Sequence, residues 1–223
     1  MEKFDILVTN TSILDINTGE ISEGNLIGIT NDTIKLVTNT YQENQFEAIT
    51  KIDAENKFVM PGLWDMHVHF RGGDTLSNKN KNLLPLFLAY GITTVRDAGG
   101  DITPSVLNWC KAINQGLMVG PTIFTPGPKL DGADPAWEGS LTVETEDDIK
   151  KALDSLESSG VDYAKMYDGR LTKEAYYGII KEAKKRGLKT TGHMPFDATI
   201  PEASSFGLNG TEHLFYVLKS CFI

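Results

Sequence analysis

Over the first 58 residues the apolar positions come in short runs, ILVTNTSILDI (6–16) and NLIGITNDTIKLV (25–37), broken by the turn formers Asn17, Gly19, Asn31 and Asp32. β-Branched side chains fit a pleated, half-buried surface, and Asn, Asp and Gly supply the bends between strands. Residues 1–58 therefore predict a small β-rich unit. From residue 59 onward strand-like runs alternate with stretches of helical period. Ile149, Ala152, Leu153 and Leu156 fall at i, i+3, i+4 and i+7 behind Thr145 as N-cap, with Asp148 three residues on. Tyr176, Ile179, Ile180 and Ala183 repeat the stripe. The helical stretches end near Gly91, Gly116, Gly160, Gly187 and Gly207, where glycine can take the left-handed conformation that turns the chain back. Strands are expected at 59–69, 93–97, 122–126, 163–166, 189–193 and 209–213. Six strands separated by helices predict an α/β unit over 59–223 with parallel strands and helical crossovers.

Composition narrows the partners. Thirty Asp plus Glu against twenty-one Lys plus Arg give a net charge of −9, which argues against nucleic acid or an anionic membrane as the partner. Cys110 and Cys221 are too few for a disulfide framework, no membrane-length apolar run is present, and the N-terminus runs straight into a strand pattern. A cytoplasmic protein is expected.

The chain has four histidines, His67, His69, His193 and His213. In a strand alternate side chains share a face, so Asp65, His67 and His69 project together while Met66 and Val68 point into packing. Such a pair is either a polar stripe on a half-buried sheet or two ligands for one ion. The surroundings favour the ion, because histidines on a buried strand need partners. In parallel β/α units functional residues gather at the C-terminal ends of strands. His69, Lys165, His193 and His213 each lie at or near such an end. A lone lysine at a strand end is more often salt-bridged than catalytic, and the histidines around it shift that balance. Arg96 and Asp97, closing the second strand, are expected to form a structural ion pair.

Five strings, PGLWDMHVHF, GITTVRDAGG, VDYAKMYDG, TTGHMP and GTEHL, occur in an order that resembles the amidohydrolase superfamily, in its Xaa-Pro dipeptidase and imidazolonepropionase-like branch. The resemblance implies a (β/α)8 TIM-type barrel preceded by part of a small β-sandwich. It also implies two divalent metal ions, zinc first, with manganese, cobalt or nickel as alternatives. His67 and His69 would hold one ion, His193 and His213 the other, and Lys165 would bridge them as a carbamate formed with CO2. The implied reaction is hydrolysis of a small amide, an Xaa-Pro-like dipeptide or an N-acyl amino acid, by a hydroxide bridging the ions. Lys165, Tyr167 and His213 are the expected catalytic residues, and Arg71, Tyr167 and Trp137 the expected substrate-binding ones. Arg71 is either a clamp for a substrate carboxylate or an ordinary surface ion pair, and Tyr167 either faces the pocket or packs. The loop GPKLDGADPAWEGS, with Asp131, Trp137 and Glu138, resembles a substrate-capping loop.

The chain departs from the family pattern in two places. A complete barrel takes about 250 residues, so 59–223 accommodates about six of eight strands, and the expected eighth-strand aspartate lies beyond it. A C-terminally truncated fragment with little activity is thus an alternative, and an open edge would favour association with further copies. Deaminating relatives with one metal carry a glutamate three residues after the fifth-strand histidine. Phe196 stands there, which leaves a mononuclear deaminase or a cyclic amide hydrolase as lesser alternatives.

Overall fold

The computed structural model describes residues 1–221, the Phe215 side chain excepted, and the chain divides into two compact units after Gly62. In the first unit β1 (Glu2–Leu14), β2 (Ile21–Thr30), β3 (Thr33–Asn39) and β4 (Phe46–Asp53) form a sheet in the order β3-β2-β1-β4. The short β5 (Phe58–Val59) also pairs with β1, in parallel. The hairpin bends fall at the expected turn formers, with Asn31 and Gly19 at positive φ. Phe4, Leu7 and Leu26 are this sheet's buried core.

The second unit is a mixed α/β arrangement in which every strand pair is parallel. One sheet has the order β6 (Leu63–Val68), β7 (Ile92–Asp97), β8 (Thr122–Phe124). The other runs β10 (Leu141–Thr142), β9 (Leu130–Asp131), β11 (Ala164–Met166), β12 (Thr190–Gly192). Helices α1 (Gly73–Ala89), α2 (Thr103–Asn114), α3 (Glu146–Ser159), α4 (Lys173–Arg186), α5 (Ile200–Phe206) and α6 (Phe215–Ser220) complete it. The α3 and α4 stripes are buried at every expected position and pack with Ala164 and Met166 of β11. Thr145 caps α3 through the Asp148 N–H, and Asp148 answers with the Thr145 N–H. All five glycines expected past helix ends have positive φ. Among the described residues no helix is long and apolar enough to cross a membrane.

Three strand expectations are corrected. The expected strand at 59–69 is two: Phe58–Val59 joins the first sheet, Pro61 and Gly62 interrupt, and β6 begins at Leu63. Met66 is half-exposed rather than packed, whereas Val68 does join the core. Residues 209–213 form no regular strand. Asn209 N–H and Glu212 N–H still bond to Thr190 and Gly192 carbonyls on β12, at 3.1 and 2.9 Å. His213 takes φ +65°, a left-handed conformation that a ladder cannot continue through.

Candidate functional site

The strand ends place the site. In β11, Ala164 and Met166 face the helices, so alternation sends Lys165 to the opposite face, where it is also buried. His67 and His69 stand at the end of β6, and His193 follows β12 directly. Gly192 makes that last placement possible. Its φ is +145°, and an added Cβ would collide with the Met166 carbonyl, which accepts the His193 N–H at 3.0 Å.

All four histidines and Lys165 are brought together, in two imidazole pairs. His67 Nε2 lies 3.2 Å from His69 Nε2, and His213 Nε2 lies 3.1 Å from His193 Nε2. The His67 and His213 rings, 5.0 Å apart, connect the pairs. The opposite nitrogens of His69, His67 and His193 are engaged as well. His69 Nδ1 is 2.7 Å from the Gly99 carbonyl, His67 Nδ1 is 2.8 Å from Glu212 Oε2, and His193 Nδ1 is 3.1 Å from Asp168 Oδ1. A carbonyl only accepts, so His69 Nδ1 carries the proton, and burial drives its pKa down to about 4 despite that bond. His69 is therefore neutral near pH 7 and turns an Nε2 lone pair toward His67. Burial, then the neighbouring His193, His67 and Lys165, also push the His213 pKa down.

Lone pairs facing each other at such separations require a shared proton or a shared cation. Two imidazoles on one zinc at about 2.0–2.1 Å and tetrahedral angles stand about 3.3–3.4 Å apart, so both spacings fit a common ion. Among the described residues no three His, Cys, Asp or Glu side chains converge as ligands of one ion. Each pair thus needs a further donor, and Lys165 is the group at hand. Its Nζ is buried with no hydrogen-bond partner, 3.4 Å from Glu212 Oε1 in an ion pair too poorly aligned to count as one. Burial brings its pKa down to about 8 against the pull of Glu212. A neutral, nucleophilic amine is accessible there. The donor chemistry fits the expected metal group.

Two carboxylates that the sequence reading missed organise this cluster. Glu212, fully buried, meets Arg96 Nη2 at 2.7 Å as well as His67 and Lys165. Burial works against its charge, but Lys165, Arg96 and His67 outweigh it and hold the pKa low. Asp168 takes His193 on one oxygen and the Tyr216 hydroxyl, at 2.9 Å, on the other, and these bonds overcome burial to keep its pKa low. The signals were present as the E of GTEHL and the D of YDG, each beside a residue already singled out. The expected Arg96–Asp97 ion pair does not form, because neighbours in a strand face opposite ways. Asp97 is buried against Thr125 Oγ1 and the Gly99 N–H instead.

Of the expected substrate residues, Tyr167 lies against His193, with ring centroids 4.6 Å apart. Trp137 meets Tyr167 edge-on at 6.1 Å. Arg71 makes no ion pair among the described residues and stacks over Trp137 at 5.2 Å. Asp131 is buried and accepts the N–H groups of Gly132, Ala136 and Arg170, which makes it the brace of its loop. A separate cavity of about 580 Å3, lined by Trp64, Met66, Phe124 and Thr190 among others, contains none of the histidines.

The family model for the amidohydrolase family matches residues 58–222. The chain belongs to the amidohydrolase family. This amidohydrolase is 33% identical to an ochratoxinase of Aspergillus niger over 87 residues, 32% of this chain and 17% of that protein. It is 29% identical to an adenine deaminase of Geobacillus kaustophilus over 93 residues, 42% of this chain and 14% of that one. Among solved structures it superposes on an Xaa-Pro dipeptidase with bound methionine in the active site with a TM-score of 0.75 at 20% identity, covering 93% of this chain and 61% of that one. The A. niger ochratoxinase structure gives 0.73 at 16% identity, covering 92% and 59%. The matches thus span under a fifth of the curated relatives and about three fifths of the solved ones.

Proposed function

We propose that this chain carries the metal centre of a hydrolase for small amides, on the wall of an incomplete (β/α)8 barrel preceded by part of a β-sandwich. The observation that carries the reading is the pair of facing Nε2 contacts, with Nδ1 of three of the histidines held by Gly99, Glu212 and Asp168. Partners on Nδ1 fix the tautomer and leave Nε2 free to ligate, which is how metal-binding histidines are ordinarily oriented. His67 with His69, and His193 with His213, would hold two divalent ions, zinc being the best suited to imidazole. Lys165 would complete both as a carbamate: its neutral amine bonds to the carbon of CO2 and releases one proton. Bound divalent ions supply an activated water near neutral pH and polarise the scissile carbonyl.

The chain's own residues do the rest. Glu212 and Asp168 orient the ligating rings, Arg96 anchors Glu212, and Tyr167 forms a wall beside His193. An Xaa-Pro-like dipeptide or an N-acyl amino acid suits this site. Incubating the full chain with zinc and an Xaa-Pro dipeptide is expected to release proline, with activity lost to a chelator and restored by zinc. Turnover insensitive to the chelator, or none with zinc present, contradicts the reading. The likeness to an adenine deaminase favours a second reading, ammonia release from a base. Phe196, strongly exposed at the position expected to carry a proton-donating glutamate, weighs against it.

A further inference from the structure

Lys129 belongs to the loop over the site and has no role in the centre described above. It is 4% exposed, yet its ammonium makes no hydrogen bond or ion pair among the described residues. What it meets are ring faces, Trp137 at 4.8 Å and Tyr167 at 5.9 Å. An ammonium largely withdrawn from water and out of contact with any carboxylate is costly, so structures normally bring one into contact. Here the nearby carboxylates are already engaged. Asp97 takes the Gly99 N–H and the Thr125 hydroxyl, Asp101 the N–H groups of Gly72 and Gly73, and Asp131 three N–H groups of its own and a neighbouring loop. None reaches contact distance of the Lys129 ammonium.

The ammonium borders a cavity of about 340 Å3 shared with Arg71, Trp137, Leu76, Asp101 and the exposed Glu138. That volume suits a small molecule. Single residues lie between Lys129 and the histidine cluster. The Lys129 stem lies against Gly99, where a Cβ would stand 2.9 Å from Lys129 Cγ, and the Gly99 carbonyl holds His69. On the other side Tyr167 separates Lys129 from His193.

We propose that Lys129 is the carboxylate receptor of this site, so that substrates are N-acyl amino acids or dipeptides held by a free carboxylate against Lys129 with their apolar side on Trp137. This rests on the amide-hydrolase reading, and it assigns specificity to Lys129 rather than to Arg71, which is exposed and committed to stacking on Trp137. Arg71 adds a second cation at the rim. A substrate lacking the carboxylate leaves the ammonium unpaired and binds weakly.

The test is calorimetric titration of the full chain, with and without zinc, using N-acetyl-L-proline and N-acetyl-L-prolinamide, which differ only in the charged group. The wild type is expected to prefer the acid by about tenfold or more, the range of a charge-assisted hydrogen bond. Lys129→Met and Lys129→Gln should bring the two ligands to within about twofold, and Lys129→Arg should retain most of the preference. Circular dichroism and zinc content unchanged from wild type separate this from misfolding, and two neutral variants keep the comparison readable if one folds poorly. Equal or undetectable binding of the two ligands by the wild type, or a preference that survives both neutral variants, overturns the proposal. Failure of the hydrolase reading looks different: the acid preference persists while zinc binding or dipeptide cleavage is absent.

Discussion

Glu212 joins more of this site than any histidine does. One carboxylate receives Arg96 and His67 on Oε2 and faces Lys165 across Oε1, with Glu212 and Lys165 buried and His67 and Arg96 partly exposed. Removing one partner from a buried charge network leaves the others uncompensated and typically costs about 3–5 kcal/mol. Second partners of metal-binding histidines also change affinity by about 10–100-fold. Glu212→Gln is therefore expected to lower the urea midpoint and to weaken zinc binding in a chelator competition by a factor in that range. A variant matching wild type in both would show Glu212 to be a bystander. Glu212 and Asp168 stand in strings that the sequence singles out, but their roles were not legible there, because those roles are contacts with residues far away along the chain. A glutamate in GTEHL looks like any polar residue near a strand end until β6 and β7 deliver His67 and Arg96 to it. Lys129 escaped notice for a related reason, since burial without a counter-ion is a property of the folded loop. The Arg96–Asp97 expectation failed on simpler grounds, as alternation alone sends the two apart.

At the scale of elements, α3 and α4 were readable because period, cap and terminating glycine agreed. Thr145 and Asp148 form the reciprocal cap, and Ile149, Ala152, Leu153 and Leu156 are all buried. Replacing Thr145 by Ala should cost about 1 kcal/mol, measured by equilibrium denaturation, while leaving zinc content unchanged. A loss beyond about 3 kcal/mol would mean that the cap supports more than its own helix. The short strands were harder to delimit. β11 and β12 are three residues each, and 209–213 reads as a strand by composition, yet only two of its backbone N–H groups bond to β12 before His213 turns left-handed. That turn brings His213 Nε2 to His193, so the interruption of the expected strand serves the geometry of the site. The expected strand at 59–69 ran through the strand-breaking Pro61 and Gly62, which punctuate the entry to the histidine pair, because the apolar residues on both sides are strand-like.

For the molecule as a whole, parallel strands bring together residues from 67 to 213, and the four histidines, the feature most visible in the sequence, are those that meet. The central claim is that this meeting point binds divalent ions through His67, His69, His193, His213 and Lys165. Equilibrium dialysis of the full chain against zinc, followed by elemental analysis, tests it most directly. The account predicts about two zinc ions per chain in the wild type, in line with two imidazole pairs, and at most about one after His67 and His69 are both replaced by Ala. Wild-type protein that retains no stoichiometric zinc, or a double variant that retains as much as the wild type, would contradict it.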